Sequence, residues 1–129
     1  MNRDLDKDLA EDFPTLYTGV FRGEPWGFSC GDGWEPIIRI LSRGLVEWAV
    51  FKGKPKAYWA IQVKERDGGL SVSMSSTTEE MDRLIAEAEL HSLRVCEMCG
   101  KPGNLRGIDW PVTRCDTCFE KGALPDIWK

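Results

Sequence analysis

Two Cys-x-x-Cys pairs, Cys96-Glu97-Met98-Cys99 and Cys115-Asp116-Thr117-Cys118, are separated by fifteen residues. Tetrahedral Zn²⁺ takes four thiolates, and two residues between cysteines let one tight turn present both sulfurs to one ion. The separation falls in the range expected when two such turns share a metal. Gly100, directly after the first pair, suits a backbone that has to turn with positive φ. The expectation is one Zn²⁺ held by Cys96, Cys99, Cys115 and Cys118. Four protein ligands leave no position for water, so the ion is structural rather than catalytic. The competing readings are a pair of disulfides or buried apolar thiols. A fifth cysteine, Cys30, makes the count odd, and no secretory signal is visible, so a reducing, cytoplasmic setting is expected.

At 129 residues the chain is long enough for one domain, or one domain with a small appendage. Six tryptophans and 42% apolar residues can supply a core, and no apolar run reaches the length of a membrane span. The formal charge is −4, which four thiolates around Zn²⁺ would make about two units more negative. A general nucleic-acid binder carries a basic excess instead. The charge is unevenly distributed. Residues 1–35 hold three basic and eight acidic side chains, residues 36–75 seven and three, residues 76–93 one and five, and residues 94–129 six and five. Acidic blocks therefore flank a basic centre. Such blocks are ordinarily solvated faces; the sharper reading is two surfaces of opposite sign.

Periodicity divides the chain into three stretches. Residues 1–33 read as an acidic arm, with one helical turn around Leu5 and Leu9, followed by a Gly/Pro-rich aromatic loop. Phe13, Leu16 and Tyr17 are expected to pin the arm, and Phe21, Trp26 and Phe28 to anchor the loop. Residues 34–93 read as an α+β core. Trp34, Ile37, Ile38, Leu41, Leu45, Trp48 and Ala49 fall on one helical face, predicting a helix at 34–51. Asp32 with Glu35 has capping-box spacing; alternatively Glu35 caps and Pro36 takes the first helical position. A hairpin is expected over 57–74, with Ala57, Trp59, Ile61 and Val63 alternating with Tyr58, Ala60, Gln62 and Lys64 and Asp67-Gly68 turning the chain. A second helix is expected over 77–92, started by a capping box of Ser76 with Glu79 or Thr77 with Glu80, and burying Met81, Leu84, Ile85 and Ala88. Residues 94–129 read as a zinc ribbon with an apolar tail, Phe119, Leu124, Ile127 and Trp128. Helix 77–92 runs into Cys96 without a flexible linker, so the ribbon is expected to dock on the core.

Three segments together carry a resemblance: Cys-Gly-Asp-Gly-Trp at 30–34, Val-Lys-Glu-Arg-Asp-Gly-Gly-Leu at 63–70, and the paired Cys-x-x-Cys with Trp110 and Thr113 before the second pair. They resemble small uncharacterised proteins encoded by bacteriophages and bacterial mobile elements, over roughly residues 13–118 in order. Those proteins usually carry an aromatic where Asp67 stands and an arginine where Ser71 stands. The resemblance implies an accessory protein acting in the bacterial host cytoplasm, of the kind that inhibits host defence or modulates host enzymes.

Other candidate sites are less specific. Cys30 precedes a helix start, a position that lowers a thiol pKa, but a buried inert thiol is the commoner case. His91 lies five residues before Cys96, where it can serve the metal or simply sit at a helix C-terminus. Asp32 and Glu35 can be read as a carboxylate pair for a nuclease-like reaction, although capping accounts for both. Arg39, Arg43, Lys52, Lys54, Lys56, Lys64 and Arg66 form the basic centre, a candidate phosphate-binding face with Tyr58 or Trp59 to stack on bases and Lys101, Arg106 and Arg114 nearby. The leading expectation is a non-enzymatic, zinc-rigidified protein that binds a host protein and no membrane. Nucleic-acid binding through the basic centre is the second reading and an enzyme the third.

Overall fold

The computed structural model describes residues 1–17 and 28–120; Phe21, Trp26, Leu124, Ile127 and Trp128 lie outside the described residues. The fold is α+β: helices and a small mixed sheet form the body, and a second, two-stranded sheet carries the C-terminal cysteines. Among the described residues no helix is long and apolar enough to cross a membrane.

The acidic arm is more ordered than its composition suggests. Arg3–Asp12 forms a ten-residue helix, α1. The Asn2 side chain caps it by accepting from the Asp4 N–H (2.7 Å), and Asp4 and Asp6 place negative charge at the positive end of the helix dipole. Leu9 anchors it and is fully buried. A single turn, α2 (Pro14–Tyr17), begins at Pro14, a residue compatible with a first helical turn because its missing N–H has no partner there anyway. Leu16 and Tyr17 are buried, with Tyr17 edge-to-face on Phe28 and its hydroxyl paired with the buried Ser42 hydroxyl.

Strand β1 (Phe28–Ser29) is short and runs parallel to β2 (Ala60–Arg66), which pairs antiparallel with β3 (Gly69–Met74). The β2–β3 connection is the expected Asp-Gly turn. Asp67 and Gly68 both have positive φ, 52° and 88°, which matches the twist of a tight hairpin. The facing of β2 differs from simple alternation. A register shift between Ala60 and Gln62 inserts a bulge at Ile61, so Ala60 and Val63 point inward while Trp59 (43% exposed) and Ile61 (57%) point out. One extra residue inverts the phase of everything on its far side. The alternation that placed Trp59 and Ile61 with Val63 is corrected accordingly.

Helix α3 (Glu35–Phe51) follows a short 3₁₀ turn, Asp32–Trp34, and buries Ile37, Ile38, Leu41, Leu45 and Ala49. The Asp32 carboxylate does not cap it. That carboxylate accepts instead from the Asn2 N–H (2.6 Å), and the helix starts on Glu35 with Pro36 in its first turn. Helix α4 (Glu79–Ser92) is capped by Thr78, whose hydroxyl accepts from the Met81 N–H (3.2 Å), rather than by Ser76 or Thr77. It buries Met81 and packs on α3 and β3. Two of its side chains reach the outer backbone of β3: the Ser92 hydroxyl accepts from Leu70 N–H (2.9 Å) and the Glu89 carboxylate from Val72 N–H (3.0 Å). Ser92, fully buried, donates in turn to the Glu89 carbonyl (2.6 Å).

Strands β4 (Asn104–Arg106) and β5 (Val112–Arg114) pair antiparallel, and a short helix α5 (Asp116–Glu120) carries the last cysteine.

Candidate metal centre

The first knuckle follows α4 after only a few residues. Cys96 N–H donates to the Lys101 carbonyl (2.8 Å) and Gly100 N–H to the Cys96 carbonyl (2.9 Å), closing a loop that holds Cys96 and Cys99 on one side. Gly100 has φ of 81°, the left-handed conformation its place after the pair implied. The second pair sits at the start of α5, where the Cys118 N–H approaches the Cys115 sulfur at 3.4 Å.

The four sulfurs of Cys96, Cys99, Cys115 and Cys118 all lie within 4.8 Å of one another, and Cys99 and Cys115 are 3.7 Å apart. Four sulfurs bound tetrahedrally at about 2.3 Å stand about 3.8 Å from each other, so the cluster has the size of a four-thiolate metal site. Its electrostatics ask for a cation. Burial opposes ionisation of Cys96, but N–H groups of Cys115, Cys99 and Met98 together outweigh it and hold that thiol down at about 6. The adjacent Cys115 sulfur, with burial and the other sulfurs, pushes Cys118 up to about 12. One thiolate forms readily and the next is repelled; a metal ion removes that conflict. The residues fit a metal ion whose full ligand set is protein sulfur.

The cluster is fastened to the body at two places. The first is the Cys30–Trp34 segment. Gly33 N–H donates to the Glu97 carbonyl (2.7 Å), Gly31 N–H to the Glu97 carboxylate (2.9 Å), and the buried Trp34 indole N–H to the Val95 carbonyl (2.8 Å). No side chain fits at either glycine. A Cβ on Gly33 would meet the Cys96 carbonyl oxygen at 2.0 Å, and one on Gly31 the Glu97 carbonyl oxygen at 2.3 Å. The second fastening is the hairpin turn. The fully buried Thr113 hydroxyl donates to the Gly68 carbonyl (2.6 Å), and a Cβ on Gly68 would meet Leu105 at 2.4 Å. Thr113 also accepts, through its carbonyl, from Glu97 N–H (2.9 Å). The three separated motifs of the chain thus meet around one knuckle.

Glu97 was not singled out by sequence, where it reads as a spacer between two ligands. It is 9% exposed, and burial pushes its carboxyl above the usual range while the Gly31 N–H opposes that shift. The available signal was the Gly31-x-Gly33 pair, two glycines in one short segment, a pattern that suits a close backbone approach.

The remaining candidates are dispersed. Cys30 is buried, and burial pushes its thiol up to about 12, the opposite of an activated nucleophile. Asp32 and Glu35 are engaged separately, Asp32 by Asn2 and Glu35 by Arg39 (2.7 Å). His91 is exposed in the last turn of α4, on the wall of a groove of about 330 Å³ that Ile37, Ile40, Leu84, Ala88, Val95 and Gly100 also line. In the basic centre, Arg39 is bound by Asp12 (2.6 Å) and Glu35, and Lys52 by Glu80 (3.2 Å), lying over Trp48. Arg43, Lys54, Lys56 and Arg66 are exposed and Lys64 is half-buried. Arg106 pairs with Asp116 (2.7 Å) and covers Phe119. Compared with family models, with curated proteins and with solved structures, the chain matches none of them.

Proposed function

We propose that this chain is a small zinc protein of phage or mobile-element type that acts in the bacterial cytoplasm by binding a host protein, as an inhibitor of a defence enzyme or a modulator of a host one. The observation that carries this reading is the closed sulfur cluster built into the fold: the four cysteine ligands leave no position for substrate, so the metal serves to fix a surface. That surface has apolar features suited to a protein partner. Ile108 (96% exposed) and Trp110 (72%) project from the β4–β5 turn beside the half-exposed Leu105, where the ribbon holds them without burying them. Large apolar groups presented together on a rigid element serve as interface anchors. The zinc assignment is supported by the all-sulfur donor set, and the phage assignment by the resemblance of the three motifs. The basic centre supports nucleic acid less well, since Arg39 and Lys52 are already paired with acids.

Elemental analysis should find one zinc per chain. A tagged protein should retain one specific host protein from nuclease-treated lysate, and the purified pair should bind directly. Ile108→Ser with Trp110→Ala should abolish that binding while leaving the zinc content unchanged. Capture of nucleic acid alone, falling steeply with added salt, would transfer the function to the basic centre.

A further inference from the structure

The first knuckle of a zinc ribbon ordinarily carries its own shape, through N–H groups that point at the sulfurs. Here the peptide between the ligands is also gripped from outside. Glu97, flanked by Cys96 and Met98, spends its carbonyl on Gly33, its carboxylate on Gly31 and its N–H on Thr113. The Gly33 carbonyl lies 3.3 Å from where a Cβ on Gly100 would stand, so the two glycine turns are stacked backbone to backbone. The next residue, Trp34, is buried and tied to Val95, just before the first ligand. The segment that grips the knuckle also leads into α3, the central helix of the body.

We propose that Gly31, Gly33 and Glu97 are metal-positioning residues: the Cys30–Trp34 turn and the first knuckle are one thermodynamic unit, so the body sets the metal affinity and the metal in turn orders that turn. The inference rests on the zinc reading above and extends it to residues more than sixty positions before the first ligand. The physical basis is linkage. If the turn holds Cys96 and Cys99 in ligating geometry, distorting the turn weakens the metal, and removing the metal must loosen the turn by the same free energy. Groups that orient ligands without touching the ion are worth about 10–100-fold in metal affinity, and that is the size expected here. A consequence reaches the groove between α3 and α4. Gly33, Val95 and Gly100 are among the residues that line it, so its shape there depends on the metal.

The test is a chelator competition with Zn²⁺ on the full chain, repeated with Co²⁺, whose sulfur-to-metal charge-transfer band reports the four-thiolate site. Gly33→Ala should lower affinity by about 10–100-fold. Gly53→Ala is the control. Gly53 has a positive φ (73°), so alanine there strains the backbone, but a Cβ meets nothing within 4 Å, and the metal affinity should equal that of the wild type. Glu97→Ala should weaken metal binding, and Glu97→Gln, which keeps an oxygen acceptor for Gly31, should restore much of it. On chelation, the amide hydrogens of Gly31 and Gly33 should lose exchange protection while those of the middle of α3 keep theirs. Should Gly33→Ala fail to fold, the Glu97 pair and the exchange measurement decide the matter. Wild-type affinity in both Gly33→Ala and Glu97→Ala, with unchanged protection at Gly31 and Gly33 after chelation, would overturn the coupling. In that outcome a normal Co²⁺ spectrum leaves the zinc reading standing. A wild-type chain with no such spectrum refutes the zinc reading and the coupling together.

Discussion

Thr113→Val separates the ribbon's attachment to the hairpin from its attachment to the metal. Valine has nearly the shape of threonine, so the change removes one hydroxyl from a fully buried site and leaves the Gly68 carbonyl without its 2.6 Å donor. A buried acceptor stripped of its partner costs about 1–3 kcal/mol. For a chain of 129 residues, 1 kcal/mol shifts the melting temperature by about 3–5 °C, so a cost of about 2 kcal/mol predicts a fall of roughly 6–10 °C. Thr113→Ser is the companion. It keeps the donor and loses a methyl group, a change in the range of about 0.5–1.5 kcal/mol. Both should be melted by urea and by heat at saturating zinc, so that metal occupancy does not vary between proteins. The expected order of stability is wild type, then serine, then valine, with equal urea m-values. Valine at least as stable as serine would show that methyl packing, not the hydrogen bond to Gly68, fastens the ribbon, and the reasoning would fail.

Two further outcomes follow from the site and the core. Cys99→Ser removes one of the four clustered sulfurs and should weaken metal binding by more than the roughly 10–100-fold of an orienting group, with limited proteolysis cutting first within 94–120; stoichiometric metal and a wild-type melt would contradict the four-ligand site. Alkaline pH should destabilise the fold, because burial raises both Cys30 and Tyr17 above their ordinary values of 9.0 and 10.0. Between about pH 9 and 12 the unfolded chain has released the Cys30 proton that the folded chain retains, so stability is complete below the ordinary value and falls as pH rises. Cys30→Ala should flatten that fall, and an equal slope in both proteins would show that the thiol is not responsible.

The parts of the fold legible in the sequence are those fixed by local chemistry. The face of α3 repeats its apolar residues over seventeen positions, and Asp67-Gly68 allows little besides a tight hairpin turn. The cysteine spacing likewise brings the four sulfurs together through short-range geometry. What escaped reading depends on distant partners. Helix α1 is mostly charged, and its order comes from Leu9 reaching a core built much later in the chain. The bulge at Ile61 has no periodic signature, because a single inserted residue looks like continued alternation on both sides. Asp32 looked like a cap because capping is a local rule, yet its carboxylate is taken by Asn2, thirty residues away. Glu97 was illegible for the same reason: its role is defined by the glycines it touches, not by its neighbours.

The sealing of β3 by Ser92 and Glu89 restricts how this chain can meet a partner. An outer strand with unspent N–H groups invites an extended peptide to join the sheet, productively or as the start of aggregation. Here Leu70 and Val72 have already given those hydrogens to α4. An incoming strand would have to displace a buried hydroxyl and a carboxylate before making its first backbone bond. Recruitment by strand addition is closed on that side, and a partner has to recognise side chains. The same seal protects that edge of the hairpin from pairing with its own copies.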